Sequence, residues 1–406
     1  MKTVMKKVFC LLNLLGMQEI LPAQSDSTAS RGGGAPKKEE RKWDWIDIKG
    51  YTQLRYNELF ETNPKLECEQ CDKSWGTGVG LYFRRMRFSV DLKLLPRLSF
   101  TVQPDIAGLI EGGAAVQLRD LYFEYGFDKK NELRARLGQT RVPYGHENIQ
   151  STRNRIPLDR NDALNSAFIN ERDWGLFFYW TPERFQKKFE ARAKNGLKGT
   201  GDYGIFSLGV FQGQSTLRDL NRSKHVVARV AYPLDAGNQL MEFAVQGYWG
   251  KYTIAAEKMT SGVRTNATHT YPDKRVAVST VLFPKPFGVQ AEYNWGVGPE
   301  FTHATGKITK QPLWGGYVLA NYRLPMGKQL LYPYVRVQHF DGAKKHERDA
   351  RHYIVKELEI GADWQISRYV EIIGAFTLSN RKFEDFRLPD NNQRGSLARL
   401  QLQVGF

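Results

Sequence analysis

Apolar and polar residues alternate with a period of two along most of the chain, which is the pattern of β-strands with one apolar and one polar face. In the last segment, SLARLQLQVGF, the apolar face holds Ala398, Leu400, Leu402, Val404 and Phe406. About sixteen such segments occur, near 46–57, 79–95, 98–107, 115–128, 132–142, 172–182, 203–213, 222–233, 238–252, 273–285, 287–301, 312–325, 329–341, 352–366, 368–381 and 395–406. Their lengths suit tilted strands that cross a membrane.

The connections between these segments alternate in length. Short turns such as 96–97 follow every second segment, and longer polar connections such as 302–311 lie between them. Long loops on one rim and tight turns on the other are typical of outer-membrane barrels, whereas a soluble sandwich has no reason to sort its loops in this way. Only 182–202 breaks the rule, and we interpret it as an insertion on the periplasmic side that holds a short hairpin or a helix. The pattern predicts an all-β transmembrane antiparallel barrel over residues 45–406.

The charged residues fall on one face of each strand. Between 83 and 95, for example, arginine, serine, aspartate and lysine alternate with apolar residues. A lysine or arginine on the lipid face would cost about 2–4 kcal/mol at the membrane midplane, so the charged face must line the lumen. Closure of the barrel places the last strand beside the first and thereby groups four inward arginines, Arg55, Arg85, Arg87 and Arg399. A basic wall of this kind sorts solutes by charge.

The connection Pro143–Glu171 is long, rich in charge, asparagine and serine, and lacks the apolar period of a buried helix. Loops of this length are uncommon and usually functional. We expect it to fold inward as a constriction loop that narrows a water-filled pore. If the segment is extended, Arg153 and Arg155 can present two guanidinium groups to one anion. The alternative is that both arginines pair with carboxylates of the same loop and stiffen it.

The two ends of the chain differ in character. Residues 1–23 resemble a secretory signal peptide, with lysines, a short apolar core and small residues at the cleavage site, although a disordered start is the alternative. Residues 24–44 are polar and glycine-rich and are expected to form a flexible linker. The terminal Phe406 closes an amphipathic strand, as in the assembly signals of bacterial outer-membrane barrels.

Composition and motifs narrow the function classes. The chain has 406 residues and a formal net charge of +16, and it contains no HExxH, P-loop or GxSxG motif. No cofactor, metal site or nucleic-acid partner is therefore expected, since a basic helix is also missing. Cys68 and Cys71 fall in a predicted outside loop, where a disulfide is expected. Free thiols, or a zinc site that would need two further ligands, are the alternatives.

Four segments together resemble the phosphate-selective porin O and P family of outer-membrane channels. They are FRRMRFSVDLKLLPRLSFTVQPDIAG (Phe83–Gly108), LRDLYFEYGF (Leu118–Phe127), LRARLGQTRVPYGHENIQSTRN (Leu133–Asn154) and NERDWGLFFYW (Asn170–Trp180). The resemblance implies a trimeric barrel in the outer membrane of a Gram-negative bacterium, with an inserted loop that sets the bore and basic side chains that attract anions.

The candidate pore and anion-binding residues are Arg55, Arg85, Arg87, Arg134, Arg136, Arg141, Arg153, Arg155, Arg160, Arg172 and Arg399. Each can instead pair with a lumenal carboxylate and brace the barrel. The expected function is passive diffusion of small solutes, biased toward anions such as phosphate, and not catalysis. The alternatives are a non-selective porin, a barrel that hydrolyses lipids, or a structural barrel. Expected partners are further copies of the chain in a homotrimer, membrane lipids, the barrel-assembly machinery and small anionic solutes.

Overall fold

The computed structural model describes residues 45–60, 63, 80–107, 115–389 and 391–406. The expected signal peptide (1–23), the expected linker (24–44), and Cys68 and Cys71 lie outside the described residues. Within them, no helix is both long enough and apolar enough to span a membrane.

The described residues form one closed antiparallel sheet in which consecutive strands pair and the last strand pairs with the first. The strands are β1 (Ile46–Phe60), β2 (Gly80–Leu95), β3 (Leu98–Ala107), β4 (Ala115–Gly126), β5 (Leu133–Arg141), β6 (Arg172–Trp180), β7 (Phe206–Phe211), β8 (His225–Ala236), β9 (Gln239–Thr253), β10 (Thr270–Leu282), β11 (Phe287–Thr302), β12 (Lys307–Tyr322), β13 (Leu324–Met326), β14 (Gln329–Ala343), β15 (His352–Gln365), β16 (Val370–Glu384) and β17 (Asn392–Gly405). Because β12 and β13 both pair with β14 and are separated only by Arg323, they make one barrel strand, and the barrel has 16 strands. The predicted all-β barrel is confirmed.

The alternation of the sequence is also the alternation of the two faces of the barrel. In β17, Gln401 and Gln403 are buried in the interior, whereas Leu400, Leu402 and Val404 are exposed on the outside. The apolar face therefore points outward, as a barrel in lipid requires.

The prediction for one loop is wrong. The sequence predicts a loop at 302–311. In the structure β11 continues to Thr302 and β12 begins at Lys307, so only a tight turn joins the two strands. The strands extend because Ile308 is buried in an apolar cluster with Tyr252, Tyr271 and Phe301. Burial of these side chains stabilises paired strands beyond the length that a membrane needs.

The helices lie in the connections. Two short ones, α1 (His146–Ile149) and α2 (Asp162–Asn165), belong to residues 142–171, and α3 (Glu183–Lys194) occupies the insertion. The insertion therefore contains a helix and not a hairpin. One-turn 3-10 helices occur at Thr152–Asn154, Ile169–Glu171, Ala256–Lys258, His303–Thr305 and Arg348–Ala350.

Residues 142–171, here called the lumenal loop, lie inside the barrel. The Phe168 ring lies 5.6 Å from the ring of Phe211 on β7 and 5.0 Å from that of Tyr248 on β9. Tyr144 donates a hydrogen bond of 2.9 Å to Asn294 on β11. The loop thus packs an apolar core against one side of the inner wall. The opposite side, formed by β1 to β4 with β16 and β17, keeps its charged lining.

Candidate functional site

A cavity of about 250 Å³ lies between the lumenal loop and the inner wall. Ten arginine and lysine side chains and four carboxylates line it. Five of the arginines come from neighbouring positions on β2, β4 and the loop, namely Arg84, Arg85, Arg87, Arg119 and Arg155. We call these five the arginine cluster.

Arg84 enters the cluster through a β-bulge. In the pairing of β1 with β2, Gln53 is opposite Arg85 and the next residue, Leu54, is opposite Phe83. The extra residue on β2 is Arg84, so the alternation shifts by one position. As a result both Arg84 and Arg85 are buried, at 8% and 5% exposure.

A second bulge brings Arg119 inward in the same way. Gln103 of β3 is opposite Asp120 of β4, whereas the next residue, Pro104, is opposite Leu118. The extra residue is Arg119, and both it and Asp120 are buried. Bulges are frequent next to functional sites because they re-aim side chains.

Strict alternation misses both of these arginines. It would place Arg84 and Arg119 on the lipid face beside apolar neighbours, at a cost of about 2–4 kcal/mol each at the midplane. This cost is the signal by which the sequence could have revealed the two inward arginines. A charge on an otherwise apolar face indicates that the alternation of the strand is interrupted there.

Two arginines of the cluster share one counter-ion. Arg87 Nη2 lies 2.5 Å from Asp105 Oδ2, and Arg119 Nε lies 2.9 Å from the same oxygen. The Arg87 guanidinium also lies 5.8 Å from the centre of the Tyr51 ring. A single carboxylate balances only one of the two positive charges, so this side of the cavity keeps an excess of positive charge.

Arg85 and Arg155 each have N–H donors without a hydrogen-bond partner among the described residues. Arg85 Nη1 donates to Thr152 Oγ1 at 3.1 Å, and Arg155 Nη2 donates to the carbonyl oxygen of Leu158 at 3.0 Å. Among the described residues, Nε of Arg85 and both Nε and Nη1 of Arg155 are buried without a hydrogen-bond partner. Buried donors without acceptors are costly, and a guanidinium in this state can bind an oxyanion strongly.

Arg55 and Arg399 anchor the lumenal loop. Arg55 Nη1 lies 3.1 Å from Asp159 Oδ1, and Arg399 forms an ion pair with the same carboxylate. Burial alone would raise the pKa of the Asp159 carboxyl, but Arg55 and Arg399 outweigh burial and hold that pKa well below its ordinary value. Together with Arg85 and Arg87 they lie on the adjacent strands β17, β1 and β2, as the closure of the barrel predicted.

Arg160 and Arg172 surround Glu171 at the end of the loop. Arg160 Nη1 lies 2.9 Å from Glu171 Oε1 and Arg172 Nη1 lies 3.0 Å from Oε2. Burial alone would raise the pKa of the Glu171 carboxyl, but the two arginines lower it to about 2. Arg172 also binds both oxygens of Asp120, at 3.0 and 3.1 Å. These arginines brace the loop.

The three candidate arginines of β5 lie away from the cavity. Arg134 pairs with Asp202 at 2.9 Å, Arg136 pairs with Glu124 at 2.6 Å, and Arg141 donates to the hydroxyl of Tyr203 at 3.4 Å. Aromatic rings of this wall stack on Arg134 and Arg136, as in the 4.2 Å approach of Arg136 to the Tyr122 ring.

Arg153 and Arg155 do not face one anion together. A 3-10 turn at Thr152–Asn154 precedes Arg155, so the segment is not extended. Arg155 lines the cavity described above, whereas Arg153 lines a second cavity of about 720 Å³ toward the rim of the tight turns. There its Nη2 donates to the carbonyl oxygen of Arg368 at 3.3 Å.

Comparisons with known proteins support the fold and identify the family. The model of the family described as phosphate-selective porin O and P matches residues 68–406. The outer membrane channel DcaP of Acinetobacter baumannii is 13% identical, with a TM-score of 0.54 over 89% of this chain and 97% of that one. OmpF of Salmonella typhi, in complex with daunomycin, is 13% identical, with a TM-score of 0.52 over the same shares of the two chains.

OmpT of Vibrio cholerae, in its trimer form, is 9% identical, with a TM-score of 0.51 over 89% of this chain and 99% of that one. At these identities the similarity of structure shows the fold alone. No curated protein matches the chain.

Proposed function

The chain belongs to the phosphate-selective porin O and P family and is an outer-membrane channel, and we propose that this channel favours small anions, phosphate among them. The observation that carries the proposal is the arginine cluster. Its five guanidinium groups line one cavity of about 250 Å³, and three of them, those of Arg85, Arg87 and Arg155, have donors that no described residue accepts.

Coulomb's law gives the size of the expected effect. One unit charge at 4 Å is worth about 4 kcal/mol at an effective dielectric constant near 20. Ions screen such an interaction less in a narrow, partly buried passage than on an open surface. Even after the four carboxylates of the cavity are counted, the excess of positive charge favours an anion over a cation of equal size.

The donor geometry favours oxyanions over halides. A guanidinium presents a planar fork that matches two oxygens of a phosphate, and arginine stays charged throughout the physiological range. Arg85 and Arg155 come from different elements, one from β2 and the other from the lumenal loop. A tetrahedral oxyanion between them can accept from both, whereas chloride has no directional acceptors.

The lumenal loop is proposed to set the bore at this level. It crosses the interior from the wall at β7–β9 to Arg55 and Arg399. A solute is therefore expected to pass between the loop, which carries Arg155, and the wall that carries the other four arginines of the cluster.

The second candidate function is a general porin without charge preference. It is favoured by the ion pairs of Arg55, Arg134, Arg136, Arg172 and Arg399, in which the positive charge is balanced locally. In that case the arginines brace the loop and the wall, and the net field in the passage is weak.

Phosphate block of chloride current separates the two candidates. Purified protein is inserted in planar bilayers in potassium chloride, and inorganic phosphate is added at constant ionic strength. An anion-preferring channel with an oxyanion site shows a chloride current that falls with phosphate in a saturable manner. A general porin shows only the change expected from bulk mobility, and that outcome would refute the proposal.

We further propose that the protein assembles as a homotrimer in contact with outer-membrane lipids, and that the barrel-assembly machinery recognises its last strand. The trimer form of OmpT and the exposed apolar outer face of the barrel support the first part. The closing strand β17, with its outward Leu400, Leu402 and Val404, supports the second.

A further inference from the structure

The insertion between β6 and β7 begins on the rim of the tight turns, which is the periplasmic rim of an outer-membrane barrel. Glu183 N donates to Glu132 Oε1 at 3.0 Å, and Lys188 Nζ lies 2.7 Å from Asp235 Oδ2. Phe185 is buried with its ring 5.3 Å from that of Tyr232 on β8. The first half of α3 is therefore fastened to this rim.

The second half of α3 lies inside the barrel. Arg192 Nη1 lies 2.5 Å from Glu242 Oε2, and both side chains are only 3% exposed. The Arg192 guanidinium also lies 5.0 Å from the centre of the Phe283 ring. These contacts place the end of α3 inside the barrel, next to β9.

The segment then reaches the far wall. Lys198 forms an ion pair with Asp363 on β15, and its Nζ lies 3.5 Å from Glu371 Oε2 on β16. The Lys198 and Asp363 side chains are 7% and 0% exposed. The chain returns at Asp202, which pairs with Arg134 on β5. Because β15 lies roughly half-way around the barrel from β5, residues 183–202, here called the periplasmic arm, cross the interior from wall to wall.

A cavity lies along one side of the arm. This cavity of about 720 Å³ is lined by the arm, by β1–β3 and by the ends of β14, β15 and β16. Arg87 lines both this cavity and the one at the arginine cluster. The carbonyl oxygen of Lys198 accepts a hydrogen bond of 2.7 Å from Gln150 Nε2 of the lumenal loop. The arm thus lies on the periplasmic side of the lumenal loop and in contact with it.

We propose that the periplasmic arm is a second constriction of the channel, and that Lys198 is the positioning residue that holds it across the bore. This inference rests on the proposed channel function. The tip of the arm, residues 196–201, is neither helix nor strand and contains three glycines, Gly196, Gly199 and Gly201. Such a segment has many accessible backbone conformations, so the buried ion pair of Lys198 fixes its position.

Single-channel recordings of Lys198→Met test the inference. Methionine keeps the length of the side chain but removes the charge, so the tip loses its ion pairs with β15 and β16 and keeps the backbone hydrogen bond from Gln150. The matched control is Lys187→Met, which removes the same charge from an exposed ion pair with Glu183 that lies within the helix of the same arm. We expect Lys198→Met to raise conductance roughly two-fold over both the wild type and the control.

Exclusion of neutral polymers locates the change. Polymers of graded size are added to one side of the bilayer at a time, and the largest size that still lowers the current is recorded. Lys198→Met should admit larger polymers from the periplasmic side, whereas the cut-off from the extracellular side should stay at the wild-type value. Equal conductance and equal cut-offs in Lys198→Met and Lys187→Met would overturn the proposal.

Two outcomes keep the inference separate from the proposed function. A wild-type protein that inserts but does not conduct refutes the channel itself. If Lys198→Met fails to assemble, the recordings are made on a variant in which residues 187–199 are replaced by a short Gly–Ser linker. A conductance of this variant no higher than that of the wild type would also overturn the proposal.

Discussion

The guanidinium of Arg55, on the first strand of the barrel, lies 3.1 Å from the carboxylate of Asp159, in the lumenal loop. Arg399 on the last strand contacts the same carboxylate. The seam where the barrel closes is therefore also the place where the loop is anchored. One partly exposed carboxylate couples the closure of the wall to the position of the loop that contributes Arg155 to the arginine cluster.

Asp159→Ala should destabilise the protein and loosen the loop. The substitution leaves two buried guanidinium groups without their shared carboxylate, at a cost of roughly 1–3 kcal/mol, below that of a fully buried pair because Asp159 is 28% exposed. We expect a lower midpoint of the heat-modifiable transition and a noisier open-channel current. Asp47→Ala, which removes an exposed ion pair with Lys49, is the control and should change neither. An unchanged midpoint in Asp159→Ala would show that the anchor contributes nothing.

Glu171→Gln should lower stability at neutral pH but not in acid. The ordinary pKa of glutamate is 4.5, and in the folded protein that of Glu171 is lowered to about 2. The stabilisation from its ionised form is therefore complete above about pH 4.5 and is lost as the pH falls toward 2. Thermal midpoints of the variant and the wild type, measured from pH 7 down to pH 2, should converge on acidification. A constant difference over the whole range would contradict this account of Arg160, Arg172 and Glu171.

The barrel could be predicted from the sequence because strand alternation is a local property. Lipid outside and water inside impose opposite polarity on successive residues, and this constraint repeats along every strand. The alternation of short and long connections then predicted which connections lie on the periplasmic rim and which on the extracellular rim. The loop expected at 302–311 could not be corrected in advance, since the burial of Ile308 against Phe301 depends on neighbours that only the fold assembles.

The candidate site was predicted less completely. The closure of the barrel correctly grouped Arg55, Arg85, Arg87 and Arg399, because adjacency follows from strand order alone. The bulges that turn Arg84 and Arg119 inward depend on pairing registers that alternation does not define. The sequence does not show which arginines form ion pairs and which keep N–H donors without a partner. That depends on distances between the loop and the wall, and these distances follow from tertiary packing.

Phe406→Ala should impair assembly. The backbone of Phe406 exchanges two hydrogen bonds with Gly50, and its ring lies 5.9 Å from that of Phe88, so it closes the seam between β17 and β1. We expect less heat-modifiable barrel in the outer membrane. Phe287→Ala removes an equally exposed ring at the start of β11 and serves as the control. Equal yields of the two variants would argue against a special role for the terminal aromatic residue.

Native mass spectrometry of the detergent-purified protein should show three copies of the chain. The outer face carries large exposed apolar side chains such as Trp249, Trp295 and Trp314, and contact between barrels would cover part of such a face. A trimer that dissociates only at elevated temperature is the expected result. A species that stays monomeric across mild detergents would contradict the proposed assembly.

The reversal potential in a potassium chloride gradient tests the role of the arginine cluster most directly. The wild type should show the sign of an anion-selective channel, and Arg85→Ala combined with Arg155→Ala should shift the potential toward zero while the barrel stays assembled. The control, Lys130→Ala with Lys188→Ala, removes the same net charge from exposed ion pairs on the periplasmic rim and should keep the wild-type value. A wild-type potential at zero or of the opposite sign, or a cluster variant that matches the control, would contradict the account.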